Sequence, residues 1–301
     1  MKFKDVIMRS DIVKKPEWIR TRLLPSGKKY FELKNSLRIL QLHTVCEEAR
    51  CPNIADCWES RTATIMIMGD KCSRRCKFCS VQNGRLSPLD PEEPIRVAEA
   101  IKKWTLTYVV ITSVCRDDLN DGGAEHIGNT VEAIRAVSDG IIAVEPLIPD
   151  FQGRYEAIEK IVKSGPQVIS HNIETVRRLS PGIRDVRASY DQSLRVLQIV
   201  KQINPELYTK SSLMLGLGEH LDEVAESLDD LRDTGVDIIT MGQYLQPGLG
   251  YAPVIEYISP PTFERYKTLA LNKGFRSVSA GPFVRSSYRA GEMYLNLINS
   301  S

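Results

Sequence analysis

Residues 63–80 read ATIMIMGDKCSRRCKFCS. The first six are apolar or β-branched, as in a strand buried on both faces, and Gly69 ends the run. Three cysteines follow at once, at 72, 76 and 79, among the cations Lys71, Arg74, Arg75 and Lys77. In parallel α/β folds the loops at the C-terminal ends of the strands carry the chemistry. A strand running straight into clustered thiols therefore predicts a parallel sheet with a site at its carboxyl edge.

The rest of the chain follows the same rhythm. Further strand candidates are YVVITS (108–113), IIAVEPLIP (141–149), QVISHN (167–172), KSSLMLGL (210–217) and DIITMGQYL (237–245). Helical patterns lie between them, including EEPIRVAEAIKKW (92–104), AEHIGNTVEAIRAV (124–137), YDQSLRVLQIVKQI (190–203) and LDEVAESLDDLRDTG (221–235). Apolar residues recur there every three or four positions, and Gly235 suits the end of the last helix. Six strand–helix units in series predict a parallel α/β sheet with right-handed crossovers. Periodicity alone leaves a partial barrel and a doubly wound sheet both open. Residues 1–60 are polar and irregular and read as an N-terminal extension, and 61–250 as the core. Residues 251–301 read as a C-terminal extension holding one helix pattern (PTFERYKTLALNKG, 261–274), a short apolar stretch and the segment RSSYRAG.

Composition excludes several classes. The 301 residues are 42% hydrophobic and 26% charged, ordinary for a globular protein with one sizeable core. Forty basic residues against 38 acidic leave a net charge of +2, which argues against a nucleic-acid-coating or membrane-surface protein. No apolar run reaches the roughly 18 residues of a membrane span. Residues 1–24, MKFKDVIMRSDIVKKPEWIRTRLL, lack the apolar core of a secretory signal, and their acids and early proline fit a transit peptide poorly. The chain is expected to be cytoplasmic, where clustered thiols are metal ligands more often than disulfides.

Six of the seven cysteines fall between positions 46 and 79. The second set stands in TVCEEARCPNIADCWES (44–60), at 46, 51 and 57, spaced C-x4-C-x5-C. A structural zinc site closes a tetrahedron with four ligands. Three nearby thiolates suit a four-iron cluster instead, and leave one iron open for a small ligand.

C-x3-C-x-Phe-C after the first strand resembles the signature of the radical S-adenosylmethionine (SAM) enzymes. TVCEEARCPNIADCWE, RDDLNDGGA, HNIETV, LMLGLGE and AGPFVRSSYRAG, in that order, resemble the blocks of the lipoyl synthases. The resemblance implies a partial (β/α)6 TIM-type barrel, with the N- and C-terminal extensions over its mouth. It implies two [4Fe–4S] clusters. Cys72, Cys76 and Cys79 would hold the one whose open iron chelates SAM, cleaved by one electron to methionine and a 5′-deoxyadenosyl radical. Cys46, Cys51 and Cys57 would hold an auxiliary cluster with a serine of RSSY, assigned to Ser287 with Ser286 as the alternative. The implied reaction replaces one hydrogen at C6 and one at C8 of a protein-bound octanoyl-lysine with sulfur from the auxiliary cluster, using two SAM molecules. The implied partners are octanoylated lipoyl carrier domains (2-oxoacid dehydrogenase transacylases and the glycine-cleavage carrier), a low-potential donor such as ferredoxin or flavodoxin, and an iron–sulfur cluster carrier. A methylthiotransferase or a biotin-synthase-like sulfur inserter is the nearest alternative.

Other residues carry looser expectations. Phe78 is expected near the adenine of SAM, and Asn172, Glu174 and Lys210 are candidate SAM contacts. Gly216, Gly218 and Glu219 follow the fifth strand, at another loop edge where polar side chains are expected to hold SAM. Arg116, Asp117 and Asp118 either line the substrate channel or form a loop salt-bridge cluster. The four cations of the first loop either balance thiolate charge and dock an acidic partner, or form a solvated face. Cys115 reads as a small buried hydrophobe with no role. The histidines at 43, 126, 171 and 220 have no metal-ligand spacing.

Overall fold

A computed structural model describes residues 14–19, 27–59 and 64–299. Most of the N-terminal stretch 1–24, and Ala63 of the first strand candidate, lie outside the described residues. The elements run α1 (Lys28–Ile39), β1 (His43–Thr44), α2 (Val45–Glu48), α3 (Ile54–Glu59), β2 (Thr64–Ile67), β3 (Lys71–Cys72), β4 (Gln82–Asn83), α4 (Glu93–Trp104), β5 (Tyr108–Ser113), α5 (Ala124–Val137), β6 (Ala143–Leu147), α6 (Tyr155–Lys163), β7 (Val168–Ser170), α7 (Ser180–Ile183), α8 (Tyr190–Ile203), β8 (Tyr208–Leu215), α9 (Leu221–Asp233), β9 (Ile238–Gln243), α10 (Pro260–Asn272), β10 (Ser277–Gly281) and α11 (Ala290–Asn299).

The main sheet has the order β1-β2-β5-β6-β7-β8-β9-β10. All neighbours are parallel except β1, which pairs antiparallel with β2. Met66, Thr112, Leu147, Ser212, Met214 and Gly242, from five different strands, line one cavity, so the sheet curls into a partial barrel. The helices form the outer layer. They bury Val97 and Ile101 of α4, Val131 and Ile134 of α5, Ile158 and Ile161 of α6 and Val196 and Val200 of α8 against the strands' outward side chains. Gly235, at φ +85°, sits one residue beyond the C-cap of α9, and the N–H groups of Gly235 and Val236 bond back to the carbonyls of Arg232 and Leu231.

Three features depart from the sequence reading. Residues 28–39 form a helix within the stretch read as irregular. Its buried stripe is only Tyr30, Leu33 and Leu37, and its N-cap is Gly27 with no side-chain cap, so both signals were weak. A seventh parallel strand, β10, extends the six predicted ones. Its sequence SVSAG is small, polar and only half-buried, so it lacks the apolar run of the others. Finally, only part of the C-terminal extension covers the mouth. Helix α11 lies at the opposite end of the barrel, where Met293 and Leu297 pack on Val168 and Ile238 and Tyr294 stacks near Tyr108 and Tyr208.

The barrel stays open between β1 and β10, the edge strands of the sheet, and the chain after β10 fills the gap. The Thr64 hydroxyl of β2 donates to Ser287 Oγ at 2.8 Å, and Asn53 Nδ2 donates to the Phe283 carbonyl at 2.6 Å. Glycine makes this crossing possible: a Cβ on Gly242 of β9 would lie 2.0 Å from the Val284 carbonyl oxygen.

Candidate active site

Cys72, Cys76, Phe78 and Cys79 line a cavity of about 520 Å³ at the carboxyl ends of the strands, as the order of strand and loop requires. Backbone N–H groups aim at the sulfurs. Those of Arg74 and Cys115 donate to Cys72 Sγ at 3.4 Å each, and that of Asp185 donates to Cys76 Sγ at 3.4 Å. The loop is pinned by Arg74, which is 5% exposed. Its guanidinium grips Asp150 (2.6 and 2.8 Å) and Asp117 (2.8 and 2.9 Å), each through two bonds. Arg74 is therefore an internal clamp rather than part of a solvated face. Asp117, held by Arg74, Ser73 and Gln152, and the ion pair Arg116–Asp118 at 2.8 Å form a loop cluster and do not line the cavity. That settles the two readings of RDD in favour of the salt-bridge cluster.

Cys115 corrects the sequence reading. It lines the cavity, and its thiol donates a hydrogen bond to Cys72 that holds the Cys72 thiol down to about 6 against the opposing effect of burial. Burial pushes Cys76 up and raises Cys79 to about 12. No signal in the sequence pairs positions 72 and 115. Their proximity comes from β2 and β5 being neighbours in register.

On the far wall stand Asn172, Glu174, Arg184 and His171. Glu174 adopts φ +68°, in the left-handed region that non-glycine residues enter at a cost of about 1–3 kcal/mol. Its backbone is fixed there by bonds to Ser212 and Met214 at 3.1 and 2.9 Å. Burial raises its carboxyl pKa. Asn172 donates to Glu174 at 3.2 Å, and its Oδ1 is buried with no partner. Arg184, which sequence reasoning passed over, donates to Ser193 Oγ at 2.8 Å and faces Glu174 and Cys76. Phe78 packs with Leu217, Tyr244 and Ala252 beside the thiols. A buried orphan acceptor, a carboxylate and a guanidinium on one wall fit a ligand carrying both amino and carboxylate groups.

Two other expectations fail. Lys210 is 1% exposed, lies one layer below the cavity and pairs with Glu145 at 2.9 Å, so it is not placed to touch a ligand. Ser170 donates to the same Glu145 at 2.5 Å, and Tyr108 also donates to it. Glu219 is spent on the N–H groups of Gly216 and Leu217, at 2.5 and 2.9 Å, and closes its own turn. The histidines are structural. His126 bonds Glu93 at 2.7 Å, His171 bonds the Ile148 carbonyl and Ser193, His43 stands 3.8 Å from Glu48, and the His220 N–H bonds Glu223 at 2.7 Å.

The second cysteine set lies on α2, the turn after it, and α3, against the gap closed by Ser287. Burial raises Cys46 to about 11 and pushes Cys51 up. The Thr64 backbone and the Trp58 indole adjoin Cys46, and the fully buried indole Nε1 has no oxygen or nitrogen partner. Arg285, half-buried, lies against Cys51 and donates to the Val284 carbonyl at 2.6 Å. A half-buried cation and an indole N–H beside thiols fit an anionic cluster. The two serines of RSSY diverge: Ser286 lines the main cavity, whereas Ser287 sits with Thr64 and lines a flanking groove with Cys57. Among the described residues no group of three His, Cys, Asp or Glu side chains closes on a single ion. Each thiolate of a four-iron cluster holds its own iron, so such a set need not converge on one point.

Comparison with known proteins agrees with this geometry. Residues 66–231 match the model of the radical SAM superfamily, and residues 2–51 match that of the N-terminal domain of lipoyl synthase of the radical SAM family. The chain is 53% identical to the lipoyl synthase of Thermus thermophilus, over 93% of its own length and 87% of the relative's. It is also 53% identical to the apicoplast lipoyl synthase of Plasmodium knowlesi, over 94% of its length but only 64% of that longer relative. Among solved structures, the [FeFe]-hydrogenase maturase HydG of Carboxydothermus hydrogenoformans shares the fold, with a TM-score of 0.57 at 14% identity over 89% of this chain and 68% of that one.

Proposed function

Because this chain belongs to the lipoyl synthase family of the radical SAM superfamily, we propose that it inserts two sulfur atoms, at C6 and C8, into an octanoyl chain carried on a lysine of a lipoyl carrier protein. The observation that carries the reading is the pair of cysteine sets, one lining the cavity and the other set behind it against Ser287. Cys72, Cys76 and Cys79 are the ligands of the cluster that binds SAM. Cys46, Cys51, Cys57 and Ser287 hold the auxiliary cluster, which is a sulfur-donating substrate consumed in the reaction. SAM and its cluster, when bound, supply the one-electron chemistry needed to break an unactivated C–H bond.

The protein's own task is to position and to exclude. Backbone N–H groups orient Cys72 and Cys76. Asn172, Glu174 and Arg184 receive the polar end of SAM, and Phe78 packs against its flat portion. Lys210 leaves this set and serves the barrel interior instead. The loop after β9, with Tyr244 and Leu245, walls the cavity against water. Among the described residues no helix is long and apolar enough to cross a membrane. A location in the cytoplasm, where thiols stay reduced, belongs to the same proposal, as do a low-potential reductant and a cluster carrier as partners.

Iron, acid-labile sulfide and zinc per chain, measured on anaerobically purified protein, test the site. About eight irons with matching sulfide are expected. Incubation with an octanoyl-lysyl peptide, SAM and dithionite should then yield the lipoyl peptide by mass spectrometry. Zinc in place of iron, or an untouched peptide with both clusters present, overturns the proposal.

A further inference from the structure

The cavity mouth has a rim that the chemistry does not use. The loop 73–78 packs on the loop 185–187: the Arg75 N–H donates to Asp185 at 2.8 Å, and Arg187 donates to the Ser73 carbonyl at 2.7 Å. It also meets the loop after β9, where the Ala252 N–H donates to the Lys77 carbonyl at 2.8 Å, and Arg50 reaches the Pro247 carbonyl at 3.3 Å. This continuous rim presents Arg50, Arg75, Lys77 and Arg187 to solvent. The carboxylates among it, Asp117 and Asp185, are engaged by Arg74 and Arg187, and Arg50 and Arg75 are exposed cations beyond these pairs. Two aliphatic side chains stand among these cations, Val186 and Leu249, each 97% exposed.

We propose that this rim is the docking surface for the carrier domain, a small protein whose surface around its acylated lysine is acidic; the inference rests on the function proposed above. A cavity of about 520 Å³ admits an acyl chain and its lysine stem but not the domain that bears them. The domain must therefore rest where the cavity opens. Val186 and Leu249 provide the apolar anchors, and the cations provide orientation and attraction over a distance.

Two substrates separate docking from chemistry, a purified octanoylated carrier domain and a short octanoyl-lysyl peptide, both with dithionite as reductant. Val186→Asp with Leu249→Asp is expected to raise KM for the domain at least tenfold and to leave the peptide's kcat and KM within about twofold. Arg75→Glu should raise the domain's KM several-fold and flatten its rise with salt, because rim charges act through screened attraction. Iron content matching the parent confirms that the variants are folded and loaded. Equal losses on both substrates, or none on the domain, overturn the docking surface. Losses seen only when flavodoxin replaces dithionite overturn it too, and give the rim to the electron donor. Failure of the parent enzyme on the peptide instead overturns the proposed function.

Discussion

The two cysteine sets are built in opposite ways. The first lies within eight residues of one loop, and its support is ionic: Arg74, between Cys72 and Cys76, is locked by two carboxylates from the loops after β5 and β6. The second draws on α2, α3 and the segment after β10. Its surroundings are apolar walls, an indole N–H and a half-buried guanidinium. One set is fastened to the barrel, and the other is assembled where the ends of the chain meet. A centre that persists through turnover suits the first arrangement, and a centre that is spent and rebuilt suits the second.

The sharpest way to break this comparison is to delete one thiol from each set. Cys76→Ala should abolish both SAM cleavage and sulfur insertion. Cys46→Ala should abolish insertion alone, with 5′-deoxyadenosine still released and iron falling from about eight to about four per chain. Identical phenotypes would erase the division of labour.

Next in size is the clamp. Arg74→Ala leaves the buried Asp150 without its cation and Asp117 with Arg187 alone, at 3.3 Å, and breaking such a buried pair costs about 3–5 kcal/mol. Urea denaturation of the cluster-free protein should show that loss, and iron should be lost from the first site before the second.

Ser287→Cys probes the second set. A thiolate binds iron more tightly than the harder alkoxide. The variant should keep its auxiliary cluster but release sulfur more slowly, by roughly tenfold. Parent-like turnover would remove the serine from the mechanism.

The smallest effect is one of titration. In cluster-free protein, Cys72, lowered to about 6, is mostly thiolate at pH 7, while Cys46, raised to about 11, is protonated. Iodoacetamide should label Cys72 first, with a rate that falls as pH drops through 6. Cys46 should gain reactivity only as pH rises toward 11. Cys115→Ala, which removes the donated hydrogen bond, should slow Cys72 labelling several-fold near pH 6.

What could be read from the sequence follows from how local each signal is. The six βα units announce themselves through runs such as VVITS and through helical stripes such as Val97 and Ile101, and both cysteine sets announce themselves by spacing. β10 did not, because its residues are small and half-buried. Lys210 reads as polar at a loop edge only until the register is known. Alternation then turns it into the barrel with Ser212 and Met214, where Glu145 neutralises it. Cys115 and Arg184 owe their place to strand neighbours and loop packing, which no single stretch encodes. Ser286 and Ser287 are indistinguishable by type and adjacency, and only the chain's turn toward Thr64 sets them on different sides.

The contact between Thr64 and Ser287 has a consequence in polymer terms. A cluster ligated by Cys46 and Ser287 is a cross-link closing a loop of roughly 240 residues, and by the chain-entropy argument used for disulfides such a closure restrains the unfolded chain by about 5 kcal/mol. On the proposed function, each round of sulfur insertion would cut that tie. The enzyme that has just finished its work is then a looser molecule than the one that began it, more open to proteases and to amide exchange along β2 and β10. Its lifetime is measured in turnovers rather than hours unless the tie is restored.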